Sequence, residues 1–305
     1  MMTSVPKTKA SEVKVTDRFN LSGKNFLITG GGGGIGFACA KAIAQLRGGV
    51  AIIDTAPNPT AEFDTLSERY GVKTSYVRGD VTNQESLEDA FAQSVQAVGQ
   101  LHGGLTAAGI VMDTPFLQAD WEVVQRIFNV DVLGTFWAAK LLAQHLVETK
   151  TPGSIVAIAS INSQGLYVPV QPKSAYNASK AAIKGLMGPL AGELGQYGIR
   201  VNCISPGAIQ TPLLARLEGE NRAILDWYRD GSPLQRLGVP EDLTPMVCYL
   251  LSDAAAFTTG ADMLVTGQFT NSKINLRGVY MDGYRWFARR LSSRIRKVGT
   301  EMTIP

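Results

Sequence analysis

Histidine and cysteine are scarce in this chain of 305 residues. Only His102 and His145 are present, so a histidine-based zinc site or a Ser-His-Asp hydrolase finds little support. The three cysteines, Cys39, Cys203 and Cys248, show no metal-type spacing. Each lies in an apolar run, which predicts a buried free thiol, and no metal is expected. No apolar stretch has the length and uniformity of a membrane span, and Met1 to Lys24 is polar with no signal-peptide core. The expectation is a cytoplasmic protein. Charge is unevenly placed along the chain. The formal net charge is +3, yet residues 271–305 carry eight basic side chains against Asp282 and Glu301. The remainder is slightly acidic and carries no footprint for nucleic acid.

What the chain has is alternation. Apolar strand patterns at Asn25–Thr29, Val50–Ile53, Val72–Val77, Ser154–Ala159, Ile199–Ile204 and Asp262–Val265 are separated by helical patterns. In the helix predicted over Gln84–Val98, Leu87, Phe91, Val95 and Val98 form an amphipathic stripe. A strand near Leu105 is weak, because Gly103 and Gly104 precede it. A long helix with a break is predicted over about 118–149, and further helices over 174–197 and 241–251. Continuous apolar strands between helices imply a parallel sheet covered on both faces. The fold class is α/β: one Rossmann-type, doubly wound parallel sheet of about seven strands. The domain boundaries expected are a polar extension over 1–20, a single nucleotide-binding catalytic domain over 21–270, and a basic extension over 271–305.

After the first strand comes Thr29-Gly30-Gly31-Gly32-Gly33-Gly34-Ile35-Gly36. Glycine permits positive φ and lets backbone amides approach a pyrophosphate, while the following helix points its amide end at the phosphates. In isolation such a run is equally a flexible loop; its place between strand and helix favours a nucleotide. Asp54 ends the second strand, where a carboxylate accepts from the ribose hydroxyls and repels a 2′-phosphate. A surface Asp opening a loop is the alternative. No Arg or Lys occupies position 33 or adjoins Asp54 in sequence, so the cofactor expected is NAD, with NADP as the alternative. Asp80, after the third strand, suits the adenine edge or, equally, a helix N-terminus.

Tyr176 and Lys180 are four residues apart in Tyr176-Asn177-Ala178-Ser179-Lys180, a spacing that places both on one helix face. The ammonium and a positive nicotinamide ring would pull the phenol toward neutrality from its usual pKa of about 10. It could then give a proton to a carbonyl oxygen as hydride arrives, or take one from an alcohol. Ser160, at the carboxyl end of its strand, would hydrogen-bond the same oxygen, with Ser163 as the rival.

On these motifs the chain resembles the short-chain dehydrogenase/reductase family over about residues 20–270. The resemblance rests also on Gly79-Asp80-Val81, Ala108-Gly109, Arg200-Val201-Asn202-x-Ile204-x-Pro206-Gly207, Pro233-Leu234-x-Arg236-Leu237-Gly238 and Thr259-Gly260-Ala261-Asp262. Within the family it is most similar to fungal polyol dehydrogenases and ketose reductases. The resemblance implies that Tyr176 is the acid/base, that Lys180 also holds the nicotinamide ribose and that Ser160 orients the substrate. It assigns Gly30, Gly34, Ile35, Gly36, Asp54, Asp80, Val81, Ala108 and Gly109 to the cofactor, and Ile209 and Thr211 to its carboxamide. It also implies a homo-oligomer, a tetramer or dimer, built through long helices.

The chain departs from the family at Asp131, in Val130-Asp131-Val132-Leu133-Gly134, where a catalytic Asn is usual. Asp131 can hold a relay water as an acceptor but cannot donate as an amide does. Asn129 lies about 200° away on a helix and cannot take that place. Thr106-Ala107 replaces the usual Asn-Asn, and Pro189 falls inside the helix that carries Tyr176, where it should kink it. Loops over about 111–116, 162–170 and 213–234 would form the substrate pocket, with Tyr167, Leu213, Leu214, Trp227 and Tyr228 as candidates, and Asn162 and Gln164 suited to polyols. Lid packing is the alternative for all of them. In the tail, Phe287, Leu291, Ile295 and Val298 recur at helical spacing amid arginines, as a membrane-surface helix, a subunit interface or a solvated extension would have them. The function expected is hydride transfer between a nicotinamide cofactor and a secondary alcohol or ketone. A reductase of polyketide- or acyl-type ketones and a non-catalytic nucleotide-binding protein are the alternatives.

Overall fold

The structure, a computed structural model, describes residues 13–166, 168, 171–215 and 222–268, without the side chains of 213, 222 and 223. Tyr167, the Leu213 side chain and the tail beyond 268 therefore lie outside the described residues.

Seven parallel strands form one sheet in the order β3-β2-β1-β4-β5-β6-β7. They are β1 (Asn25–Thr29), β2 (Gly49–Asp54), β3 (Thr74–Arg78), β4 (Gly103–Thr106), β5 (Gly153–Ile158), β6 (Ile199–Pro206) and β7 (Asp262–Val265). Phe26, Ile28, Val50 and Ile52 pack on one face with Cys39 and Ile43 of α1 (Gly34–Gln45), and α2 (Ala61–Tyr70) adds Phe63 and Leu66. On the other face Leu27, Ile53, Ile155 and Val201 meet α3 (Gln84–Val98), α5 (Thr135–Glu148) and α6 (Ser174–Leu194). Each fully buried Leu, Ile or Phe contributes about 1.5–3 kcal/mol, and covering both faces explains why these strands read as unbroken apolar runs. All three cysteines are buried, and the Cys248 thiol is pushed up to about 12 by burial.

The weak strand at Leu105 is β4, and all four of its residues are buried. Its glycines are required by crowding. A Cβ on Gly104 would sit 2.5 Å from the Leu27 carbonyl oxygen and 2.8 Å from Leu142. The long helix does break. It runs as α4 (Trp121–Phe128), a π-helical turn (Asn129–Gly134) and α5. Single π turns occur often at functional sites, and this one carries Asp131. Helix α6 continues through Pro189 to Leu194. Short helices α7 (Pro212–Ala215) and α8 (Arg222–Asp230) follow β6, where Ile224 and Tyr228 cover Ile161, Leu166 and Val168; α9 (Thr244–Leu251) returns to the first face.

Candidate active site

Strand order reverses at β1, whose neighbours are β2 and β4. In open α/β sheets ligands bind outside the carboxyl ends of strands at such a point. A cleft of ≈ 680 Å³ opens there. Gly30, Gly34, Ile35 and Gly36 line it together with Asp54, Asp80 and Val81, and with Ala108, Gly109 and Thr211. The glycines fit a pyrophosphate for stated reasons. Gly30 and Gly34 have φ of 70° and 52°, and a Cβ on Gly36 would collide with the Gly30 carbonyl oxygen. A Cβ on Gly33, at the N-terminus of α1, would meet no protein atom within 4 Å, so the turn is bare on that side.

Asp54 shapes the turn. Its Oδ2 accepts from the Gly32 amide at 2.8 Å and its Oδ1 from the Ala56 amide at 3.0 Å. Sheet pairing sets Arg78 opposite Asp54, a neighbour that sequence adjacency does not reveal; the Arg78 Nε donates to the Thr55 carbonyl at 3.3 Å. Asp80 is exposed and accepts from the amide and hydroxyl of Thr82.

A second compartment of ≈ 220 Å³ holds Ser160, Tyr176, Lys180 and Ile209. Ile35, Gly109 and Thr211 line both compartments, so the two share walls. Ser160 lies two residues beyond the end of β5, as the N-cap of a 3₁₀ turn. Its Oγ accepts from the Asn162 amide at 3.1 Å and from Asn162 Nδ2 at 3.2 Å. A hydroxyl has two lone pairs and one proton, so that proton remains for another acceptor. Ser163 Oγ is buried and has no partner among the described residues; it does not line the compartment.

The Lys180 ammonium stands 5.5 Å from the centre of the Tyr176 ring, the one-face placement that i, i+4 spacing gives. It donates to the Ile158 carbonyl at 3.3 Å and lies 3.6 Å from Asp131 Oδ2. Asp131 is fully buried. Its Oδ1 accepts from the Ile110 amide and its Oδ2 from Ser179 Oγ, each at 2.9 Å. The carboxylate thus ties the loop after β4 to α6. Asn129 lines the cofactor cleft instead. Of the Asn-Asn replacement, Thr106 Oγ1 is buried with no partner among the described residues, while the Ala107 amide bonds the Thr29 carbonyl.

The phenol differs from expectation. Burial holds Tyr176 above its ordinary pKa; Lys180 pulls it down, Asp131 pushes it up and a hydrogen bond from Ser160 pulls it down. The protein's own groups do not bring it toward neutrality: burial raises it most, and Asp131 opposes the pull of Lys180.

A family model described as enoyl-(acyl carrier protein) reductase matches residues 31–270. L-rhamnose 1-dehydrogenase (NAD(P)(+)) of a Sphingomonas species is 34% identical over 248 residues, 81% of this chain and 96% of that one. Sorbose reductase of Candida albicans is 32% identical over 267 residues, covering 86% and 93%. The crystal structure of a short-chain type dehydrogenase/reductase from Mycobacterium marinum superposes with a TM-score of 0.80 at 34% identity, over 85% of this chain and all of that one.

The chain is a short-chain dehydrogenase/reductase. It is an oxidoreductase of alcohols and ketones that works with a nicotinamide cofactor.

Around the second compartment of this short-chain dehydrogenase/reductase, Asn162, Leu214 and Tyr228 line the wall. Gln164 is exposed, and Trp227 packs edge-on to Tyr228. Asp113, in the loop expected over 111–116, lines the compartment too, and sequence reasoning overlooked Gln171 and Lys173, which also do. The signal was available for Lys173: it stands three residues before Tyr176, a spacing that brings side chains together at a helix start.

Proposed function

We propose that Tyr176 is the acid/base of hydride transfer, with Ser160 orienting the reacting oxygen and Lys180 supplying positive field. The observation that carries this reading is the convergence of the three side chains on a compartment that shares Ile35, Gly109 and Thr211 with the glycine-turn cleft. The nicotinamide, when bound, supplies or accepts the hydride. In reduction the Tyr176 hydroxyl gives its proton to the carbonyl oxygen as that oxygen gains charge. Ser160 donates a hydrogen bond from its hydroxyl to the same oxygen, and Lys180 steadies the phenolate left behind. Oxidation of an alcohol runs these transfers backward. Asp131 is a positioning residue: it fixes the loop after β4 against α6 and sets the field at Lys180.

The cofactor side follows the same logic. The glycine turn and the amide end of α1 would take the pyrophosphate, Asp80 and Val81 the adenine, Ala108 the middle of the cofactor, and Ile209 and Thr211 the carboxamide. Asp54 favours NAD over NADP, since its carboxylate at the cleft wall repels a 2′-phosphate. Arg78 is the group a phosphate would recruit, and it is engaged with the Thr55 carbonyl. The substrate is a small polar molecule, as the compartment's volume and the relatives named for rhamnose and sorbose suggest. The enzyme works in the cytoplasm as a homo-oligomer. Among the described residues no helix is long and apolar enough to cross a membrane.

The test is a panel of polyols, cyclic ketones and short-chain ketones assayed with NAD(H) and NADP(H). The reading expects turnover, with kcat/KM at least about tenfold higher for NAD(H). Cofactor binding without turnover on any member would favour the non-catalytic alternative.

A further inference from the structure

The substrate compartment holds a second ammonium. Lys173 is only 8% exposed. Its Nζ donates to Gln171 Oε1 at 2.9 Å and to the Tyr228 hydroxyl at 2.7 Å. Tyr228 donates in turn to Gln171 Oε1 at 2.7 Å, and Gln171 Nε2 donates to Asp113 Oδ2 at 2.8 Å. These four side chains line the same wall as Ser160, Tyr176 and Lys180. The Lys173 nitrogen is 6.0 Å from the centre of the Tyr176 ring, so a small substrate placed for the chemistry lies within its reach.

An ammonium has three donors. Two of those on Lys173 meet neutral acceptors. The exposed Asp113 carboxylate bonds Gln171 and acts on Lys173 through space. Burial lowers the lysine to about 8, with Asp113 opposing the fall. A buried cation is costly unless it is paired. If Lys173 served only to hold Tyr228 over the pocket, a neutral donor would do so without that cost. The charge is explained by a ligand that brings the missing anion.

We propose that Lys173 is the recognition group for a carboxylate on the substrate, and that the preferred substrates are short-chain oxo acids and the corresponding hydroxy acids. This rests on the reading that Tyr176 acts on a carbonyl in this compartment. The carboxylate takes the third Lys173 donor. The Tyr228 hydroxyl, released from Gln171, is placed to donate to its second oxygen. The carboxylate thereby fixes which face of the keto group meets Ser160 and Tyr176.

The test compares pyruvate, acetoacetate and 4-oxopentanoate with their methyl esters, at pH 7, in the wild type, Lys173→Met and Lys173→Arg. For at least one pair the wild type favours the acid in kcat/KM by about tenfold or more, the worth of one charge-assisted hydrogen bond. Lys173→Met loses that preference and Lys173→Arg keeps part of it. The KM for the acid rises above pH 8 as the ammonium is lost, and the KM for the ester does not. A structural lysine lowers both members of a pair together; an unchanged acid-to-ester ratio in Lys173→Met overturns the proposal. So does a wild type that prefers the ester, or neutral polyols, throughout. If Lys173→Met does not fold, the wild-type ratio and the pH dependence decide. Failure of the Tyr176 reading is separate, because it would appear as full turnover in Tyr176→Phe whatever the ratio.

Discussion

Asp131 shows how a single atom exchange retunes a site. Its carboxylate is 3.6 Å from the Lys180 ammonium and raises the Tyr176 phenol, against the pull of Lys180. Asn fits the same place. Its carbonyl oxygen can accept from the Ile110 amide, and its NH₂ can donate to Ser179 Oγ, whose proton then goes to the Tyr176 carbonyl already 2.8 Å away. Asp131→Asn should therefore fold and free the Lys180 field. The phenol pKa then falls, and the rise of alcohol oxidation with pH moves to lower pH. A pH profile of kcat/KM checks this, and an unshifted profile would show that the carboxylate does not act through Lys180. At this scale the sequence was partly legible. The i, i+4 pair of Tyr176 and Lys180 announces itself, but the sharing of Lys180 with Asp131 joins residues 49 positions apart through a π turn.

Elements were more legible than their reasons. Strands β1, β2, β5 and β6 stand out because both faces are covered and most of their positions are buried. Strand β4 was obscured by glycines whose necessity comes from neighbours distant in sequence, since the crowding atoms belong to Ser154 at Gly103 and to Leu27 and Leu142 at Gly104. The π turn was invisible for a similar reason: periodicity reports a break but not its geometry. The two histidines mark another junction between elements. His102 Nδ1 accepts from the Asn25 amide at the start of β1, and His145 Nε2 on α5 accepts from the Leu101 amide. Burial lowers the pKa of both rings. The unfolded chain therefore takes up protons first, so stability is full above pH 6.5 and declines as pH falls below it. The melting temperature should drop between pH 6.5 and 5, and the double variant His102→Gln, His145→Gln should lessen that drop. An equal drop in both proteins would assign it to other groups.

At the scale of the whole molecule, the helical stretch from α4 to α5 leaves large apolar side chains uncovered. Trp121 is 76% exposed, and Leu133 and Phe136 are 49% and 41% exposed. Exposed apolar area of this kind marks an association surface, and a second copy of the chain is the partner that the oligomer proposed here requires. Light scattering should give a dimer or tetramer, and Phe136→Asp should lower the mass. A monomeric wild type would remove this part of the account. The extent of the sheet was legible because alternation begins at β1 and the last strand pattern ends at Val265. The partner face was not, because exposure is set by packing rather than pattern.

The central claim is that Tyr176 moves the proton while hydride moves. The direct measurement pairs steady-state turnover with cofactor affinity in Tyr176→Phe, which removes one hydroxyl and leaves the ring. Turnover should fall by about a thousandfold or more while the cofactor Kd stays within about threefold. Turnover close to that of the wild type would contradict the account.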